Sequence, residues 1–211
     1  MLIIFCLAVK NAYSQEQFHS NFLHYKISAL ADSNKNNSKV RKIKLSGLFL
    51  SFGAGINVPT KDFKTTSIPT FGILGRLEYS STAIFPFVAG VELNYVSYKP
   101  DDQFLSENLL SSFRTKILGF GLTIEYSLAR FFNSAYTTPF LTFDVKTNKI
   151  THEYDATANL PQYPLKDSKT SIGIGAGFTL FVLDFYFKYN FMKQNSNFGV
   201  YTKIKFPVIR F

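Results

Sequence analysis

The run Leu118-Gly119-Phe120-Gly121-Leu122-Thr123-Ile124-Glu125-Tyr126-Ser127-Leu128 alternates large apolar residues with small or polar ones. A period of two puts the two sets on opposite faces of a β-strand, because successive side chains of an extended chain point to opposite sides. Two further stretches repeat the pattern. Phe85, Phe87, Ala89, Val91, Leu93 and Tyr95 alternate with Val88, Gly90, Glu92 and Asn94, and Ile172, Ile174, Ala176, Phe178 and Leu180 alternate with Gly173, Gly175, Gly177 and Thr179.

Working outward from these, the pattern predicts eight strands at about 45–58, 70–80, 84–98, 114–128, 139–150, 169–181, 183–193 and 197–210. Connectors 81–83, 182 and, less tidily, 129–138 form one set. The longer polar ones after strand one, at 99–113 and at 151–168, with the short 194–196, form the other. The turn between strands six and seven has the weakest signal, since only Asp184 there is a turn former.

The two faces differ in charge. With the apolar phase placed outward in every strand, that face carries no charge within these windows; Arg114 and Lys116 share its phase at the outer end of strand four, where long basic chains can snorkel. The opposite face carries Arg76, Glu78, Glu92, Glu125, Asp144, Lys146, Asp184, Lys188, Lys203 and Lys205, five basic and five acidic residues. Ten unpaired charges in a soluble core would be far too costly, and one lipid-facing Lys or Arg at mid-bilayer costs about 2–4 kcal/mol. The pattern therefore predicts an inside-out barrel: apolar outside, a mutually paired charge network inside. Eleven of the twelve glycines share the interior phase and only Gly75 does not. Tyr79 and Tyr126 fall outward near one end, and Tyr95 and Tyr189 near the other, as an aromatic girdle would.

Composition fits this. No stretch reaches the ~20 apolar residues of a membrane helix, mean hydropathy is +0.03, and a membrane β-barrel hides its apolar content in alternate residues. The net charge of +9 is spread along the chain and does not suggest a nucleic-acid partner. Residues 1–14 are read as a signal peptide: an apolar run Met1–Val9, then Ala12-Tyr13-Ser14 with cleavage after Ser14. The alternative is a short buried strand. Cys6, the sole cysteine, would leave with the signal. Residues 15–44, net +4, are read as a periplasmic extension. They form either a mobile tail or a short helix that docks on a periplasmic or envelope partner, or plugs the barrel mouth.

Residues 45–211, about four-fifths of the chain, resemble the small eight-stranded outer-membrane β-barrel family of the OmpA/OmpX type. The resemblance rests on Leu48-Phe49-Leu50-Ser51-Phe52-Gly53-Ala54-Gly55-Ile56-Asn57, on the later Gly-x-Gly alternation and on the terminal Phe211. It implies an all-β, up-and-down transmembrane barrel with both termini periplasmic. It also implies outer-membrane lipid and lipopolysaccharide as surroundings, and Phe211 as a signal to the barrel-assembly machinery. One departure stands out: Pro207 interrupts the last strand, so Phe206 and Phe211 can both face lipid only if a bulge intervenes.

No metal, phosphate-loop, dinucleotide or other cofactor motif is present. His152 lies beside Glu153 and Asp155 in a serine-bearing region, but no serine has the neighbourhood of an activated nucleophile. No catalytic residue is assigned. The sequence predicts a non-enzymatic barrel with a filled lumen and a structural, adhesive or envelope-assembly role through its outer loops. The alternatives are a narrow transport pore, a lipid A-modifying enzyme, and a soluble lipocalin-like barrel with its faces inverted.

Overall fold

The computed structural model describes residues 46–132, 137–155 and 160–210, with the side chain of Arg210 excepted. Eight antiparallel strands follow one another around a closed barrel: β1 (Ser46–Pro59), β2 (Thr70–Ser81), β3 (Phe87–Tyr98), β4 (Phe113–Ser127), β5 (Thr137–Tyr154), β6 (Lys166–Leu180), β7 (Leu183–Met192) and β8 (Asn197–Arg210). β8 pairs back onto β1 from Pro59↔Asn197 to Gly47↔Arg210, so no strand edge is left open. This is the predicted fold class. Of the described connecting residues, 82–86, 128–132 and 181–182 lie at the end where β1 begins and β8 finishes; 60–69, 99–112, 155, 160–165 and 193–196 lie at the other. We call these the turn end and the loop end.

The larger boundary differences from the sequence reading have physical reasons. β3 begins at Phe87, not 84, because Ser81 to Pro86 turns on itself: Ile84 N donates to Ser81 O (3.2 Å) and Phe87 N to Ile84 O (2.9 Å). β5 runs to Tyr154 and β6 starts at Lys166. The apolar alternation fades after Val145 and before Ile172, but the ladder continues through Thr151↔Lys166. Above the apolar belt the outward residues turn polar, so the hydropathy signal ends before the backbone pairing does. The turn between β6 and β7 is Phe181-Val182, with Phe181 in the left-handed region (φ 56°). Asp184, the expected turn former, is instead a β7 residue that accepts a hydrogen bond from Thr179 Oγ1 at 2.6 Å.

Pro207 is accommodated by a register shift. Phe49 pairs with Pro207 and Leu48 with Ile209, leaving Val208 as the extra residue of a bulge. After it Ile209 faces outward, 46% exposed. Phe211, residues 1–14 read as a signal peptide, and residues 15–44 read as an extension lie outside the described residues.

Outer and inner faces have opposite character. Phe71 (72% exposed), Leu122 (67%) and Phe120 (60%) are typical of an exterior of exposed Leu, Ile, Val and Phe from every strand. A continuous apolar band of this size has no place in water, where exposed patches rarely exceed a few hundred Å². The strands of 10 to 18 residues are long enough to cross a bilayer, which takes about 9–11 tilted residues.

Candidate functional site: a charged lumen under a loop cap

All ten charged residues singled out above point into the lumen and form one connected network. Nine are buried to 5% exposure or less, and Lys205 is half-buried. Arg76 joins its two halves. Its Nε donates to Glu92 Oε2 at 2.5 Å, its Nη1 donates to Glu125 Oε1 at 2.5 Å, and Glu78 lies 3.7 Å away. Toward the loop end, Lys146 and Lys188 both bridge Glu92 (3.0 and 3.1 Å) and Asp144 (3.4 and 2.9 Å). Toward the turn end, Lys203 reaches Glu78, Glu125 and Asp184, and Lys205 reaches the same three carboxylates at 3.0, 3.5 and 3.3 Å. Each charge has at least two opposite partners, which offsets a desolvation cost that a single pair would not.

Strand register builds the network. Arg76 stands directly opposite Glu92, and Asp184 opposite Lys203. Six of the ten also stand opposite a glycine on a neighbouring strand: Glu78↔Gly90, Glu92↔Gly121, Asp144↔Gly173, Lys146↔Gly121, Lys188↔Gly199 and Lys203↔Gly53. The long side chain lies over the neighbour's missing one. A Cβ built on any of the eleven inward glycines would fall within 3.1 Å of a neighbouring heavy atom, whereas on Gly75 the nearest is 3.9 Å away. Glycine is thus a space requirement of a narrow filled barrel.

Tyrosines complete the packing, and the sequence reading missed them. Tyr186 and Tyr201 stack at 5.2 Å between the charges; the Arg76 guanidinium lies 5.3 Å from the Tyr186 ring and Lys188 Nζ 5.5 Å from that of Tyr201. Both sit on the charged phase of their strands, and that phase was the signal that could have found them. Nearer the loop end, Asn57, Asn94, Asn148, Asn190 and Asn197 border a cavity of about 20 Å³, room for about one water molecule. Above it Phe63, Val96, Tyr98, Ile117, Ile150 and Met192 form an apolar plug. Phe63 comes from the 60–69 loop, where a 3-10 turn (Lys61–Thr65) sets its ring edge-on to Tyr98 at 4.7 Å.

The loop end carries a second small core. The helix α1 (Asp102–Glu107) is capped by Asp101, which accepts from Gln103 N at 2.9 Å. It brings Phe104 against Leu110 and Phe113, with Tyr154, Leu160 and Tyr163 packed around them. His152 lies beneath. Its Nδ1 is 3.0 Å from Thr115 Oγ1, and its ring stacks on Phe113 at 5.6 Å. The nearby acids are engaged elsewhere. Asp155 accepts from Ser111 N (2.8 Å) and Oγ (2.6 Å) and from Ser112 Oγ (3.2 Å), and Glu153 faces outward onto Lys116 Nζ at 2.5 Å. The hydrogen bonds from Ser111, with those from Ser112, hold the Asp155 carboxyl below its ordinary pKa. Neither Glu153 nor Asp155, the acids beside His152 in the sequence, is thus bonded to its ring.

Of the four girdle tyrosines, Tyr79 and Tyr95 are 40% and 39% exposed on the outer wall. Tyr126 and Tyr189 are half-buried: the first accepts from Arg130 Nη2 at 2.5 Å, and the second is 2.9 Å from Thr60 Oγ1.

Neisserial surface protein A matches over 78% of this chain and 99% of its own, at 15% identity and a TM-score of 0.50. The fold is that of the small eight-stranded outer-membrane β-barrels. The N-terminal β-barrel domain of Pseudomonas aeruginosa OprF aligns with 76% of this chain and 97% of its own (11% identity, TM-score 0.47). The outer membrane enzyme PagL aligns with 75% and 99% (12% identity, TM-score 0.43). No family model matches the chain, and no curated protein matches it. At these identities the likeness establishes the fold alone.

Proposed function

We propose that this chain is a non-enzymatic integral outer-membrane barrel that acts through its loop end, with both termini in the periplasm. The observation that carries the reading is the inversion of faces: an exterior of exposed Phe, Leu, Ile and Val around a lumen in which ten charges satisfy one another. A soluble ligand-binding barrel needs the reverse, an apolar cavity inside a polar wall. A pore needs a water path, and what speaks against one is the apolar cluster of Phe63, Tyr98 and Met192 at the loop end, beside a cavity with room for about one water. The role this reading gives the protein is to present 99–112, with Asp155 and residues 160–165, on a rigid stave. The apolar core that packs Phe104 against Phe113, Leu160 and Tyr163, and the Asp155 clip to Ser111 and Ser112, support that role, since they tie the two loops to each other.

Fractionation with heat-modifiable gel migration tests the location: recovery from outer membranes, with a shift on boiling, is expected. A chain found in the soluble periplasmic fraction overturns it. Planar-bilayer recordings test the closed lumen, and steady single-channel currents from the purified protein would sink that part. Protease access to the 99–112 loop in intact cells reads the orientation.

A further inference from the structure

Within the described strand positions, outward-facing cations lie on one wall of the barrel. Among the described side chains, the outward positions of β1, β2, β3, β7 and β8 hold no Lys or Arg, whereas β4, β5 and β6 hold Arg114, Lys116, Lys149 and Lys166. Register gathers them around one residue. Thr151 of β5 stands directly opposite Lys116 on one side and Lys166 on the other. Lys149 is two residues along the same face and stands opposite Ser168. Residues directly opposite across a sheet have Cβ atoms about 4.5–5.5 Å apart, so three lysines, a threonine and a serine spring from a patch of about one headgroup. Arg114 stands above it, opposite Glu153, the one outward acid here, which holds Lys116. Four cations against one carboxylate leave the patch at +3.

What lies beneath it names the partner. On the turn-end side the same three strands present Leu118, Phe120, Leu122, Val145 and Ile172, with Leu122↔Val145↔Ile172 in one row. A ligand that satisfies both zones has a phosphorylated head at the level of Thr151 and acyl chains running down the apolar wall. We propose that this wall is a binding site for a phosphate-bearing lipid of the outer leaflet, held by Lys116, Lys149 and Lys166 with Thr151 and Ser168 as hydrogen-bond donors. The proposal rests on the outer-membrane reading above. It accounts for β4–β6 being the longest strands, since their polar ends carry the cations up to headgroup level.

The test uses the full chain in zwitterionic detergent, titrated with bisphosphorylated lipid A, with its dephosphorylated form and with inorganic phosphate, and read by native mass spectrometry. Wild type is expected to retain one lipid A and to discriminate against the dephosphorylated form. The variant K116Q/K149Q/K166Q is expected to bind on the order of 100-fold more weakly, about fivefold per lysine. The matched variant K64Q/K99Q/K193Q, which removes three exposed cations elsewhere at the loop end, is expected to bind as wild type. Equal losses in the two variants, or equal binding of the dephosphorylated lipid, overturn the site. So does inorganic phosphate that binds the wall without lipid and displaces it, which would make free phosphate the ligand. Heat-modifiable migration of each variant separates the two readings: a wild type that does not enter membranes defeats the membrane reading, and an inserted one without phosphate preference defeats only the lipid site.

Discussion

The lumen and the outer wall of β4–β6 solve the same problem, the placement of lysine and arginine on a strand, in opposite ways. Inside, Arg76, Lys146, Lys188, Lys203 and Lys205 meet five carboxylates in a largely buried space, and every cation has at least two of them. Outside, Arg114, Lys116, Lys149 and Lys166 share Glu153 alone at a solvated edge. The internal charges are structural because their partners are built in. The external ones leave their charge to something the protein does not carry.

The comparison breaks first at Glu92, which receives Arg76, Lys146 and Lys188. Glu92→Leu strands buried cations, and a loss of about 3–5 kcal/mol is expected, read by urea unfolding of the barrel in lipid vesicles. Phe63→Ala comes next. Truncating a buried Phe costs about 3–5 kcal/mol where the whole fold depends on it. Here the effect is expected to stay local, as faster hydrogen exchange over Lys61–Thr65 with the strand ladder unchanged. Two glycines then separate the faces: Gly173→Ala pushes a methyl into Asp144 and should cost about 1–3 kcal/mol, while Gly75→Ala, on the open outer side, should stay within about 0.5 kcal/mol.

Acid sharpens the loop end. The Asp155 carboxyl sits below its ordinary value in the folded protein because it is hydrogen-bonded by Ser111 and Ser112. Its contribution is therefore whole above the unfolded pKa of about 3.9 and is lost as pH falls through the lower folded value. Proteolysis between residues 99 and 112 should accelerate in that acid range in wild type. In Asp155→Asn it should already be faster at neutral pH and show less acid dependence. The smallest stability effect belongs to the outer lysines, where each substitution to Gln should change the unfolding midpoint by less than about 0.5 kcal/mol.

Much of this was legible along the chain. Period-two alternation in 118–128 and 172–180 marks strands because only an extended backbone separates those faces. Phasing on the large apolar residues put Glu92 and Lys188 on one side of their strands and Phe120 and Phe187 on the other. The limits of that signal are equally physical. It vanished along 147–154 and 166–171, where the outward residues are polar yet the ladder continues, and it overlooked Tyr186 and Tyr201, aromatic residues that belong with charges. It also read Arg114 and Lys116 as isolated snorkelling chains, because their neighbours Lys149 and Lys166 are about 35 and 50 residues away along the chain from Arg114.

By itself, then, the sequence determined which residues share a face and that charges occupy one face and apolar side chains the other, since the pleat makes this a local property of each strand. Only the tertiary structure decided who meets whom. That Arg76 lies between Glu92 and Glu125, that Gly173 makes room for Asp144, and that Lys116 and Lys166 flank Thr151 are consequences of register and closure. Register is set by pairing between strands and closure by the circuit of all eight, and neither is written in any single stretch of the chain.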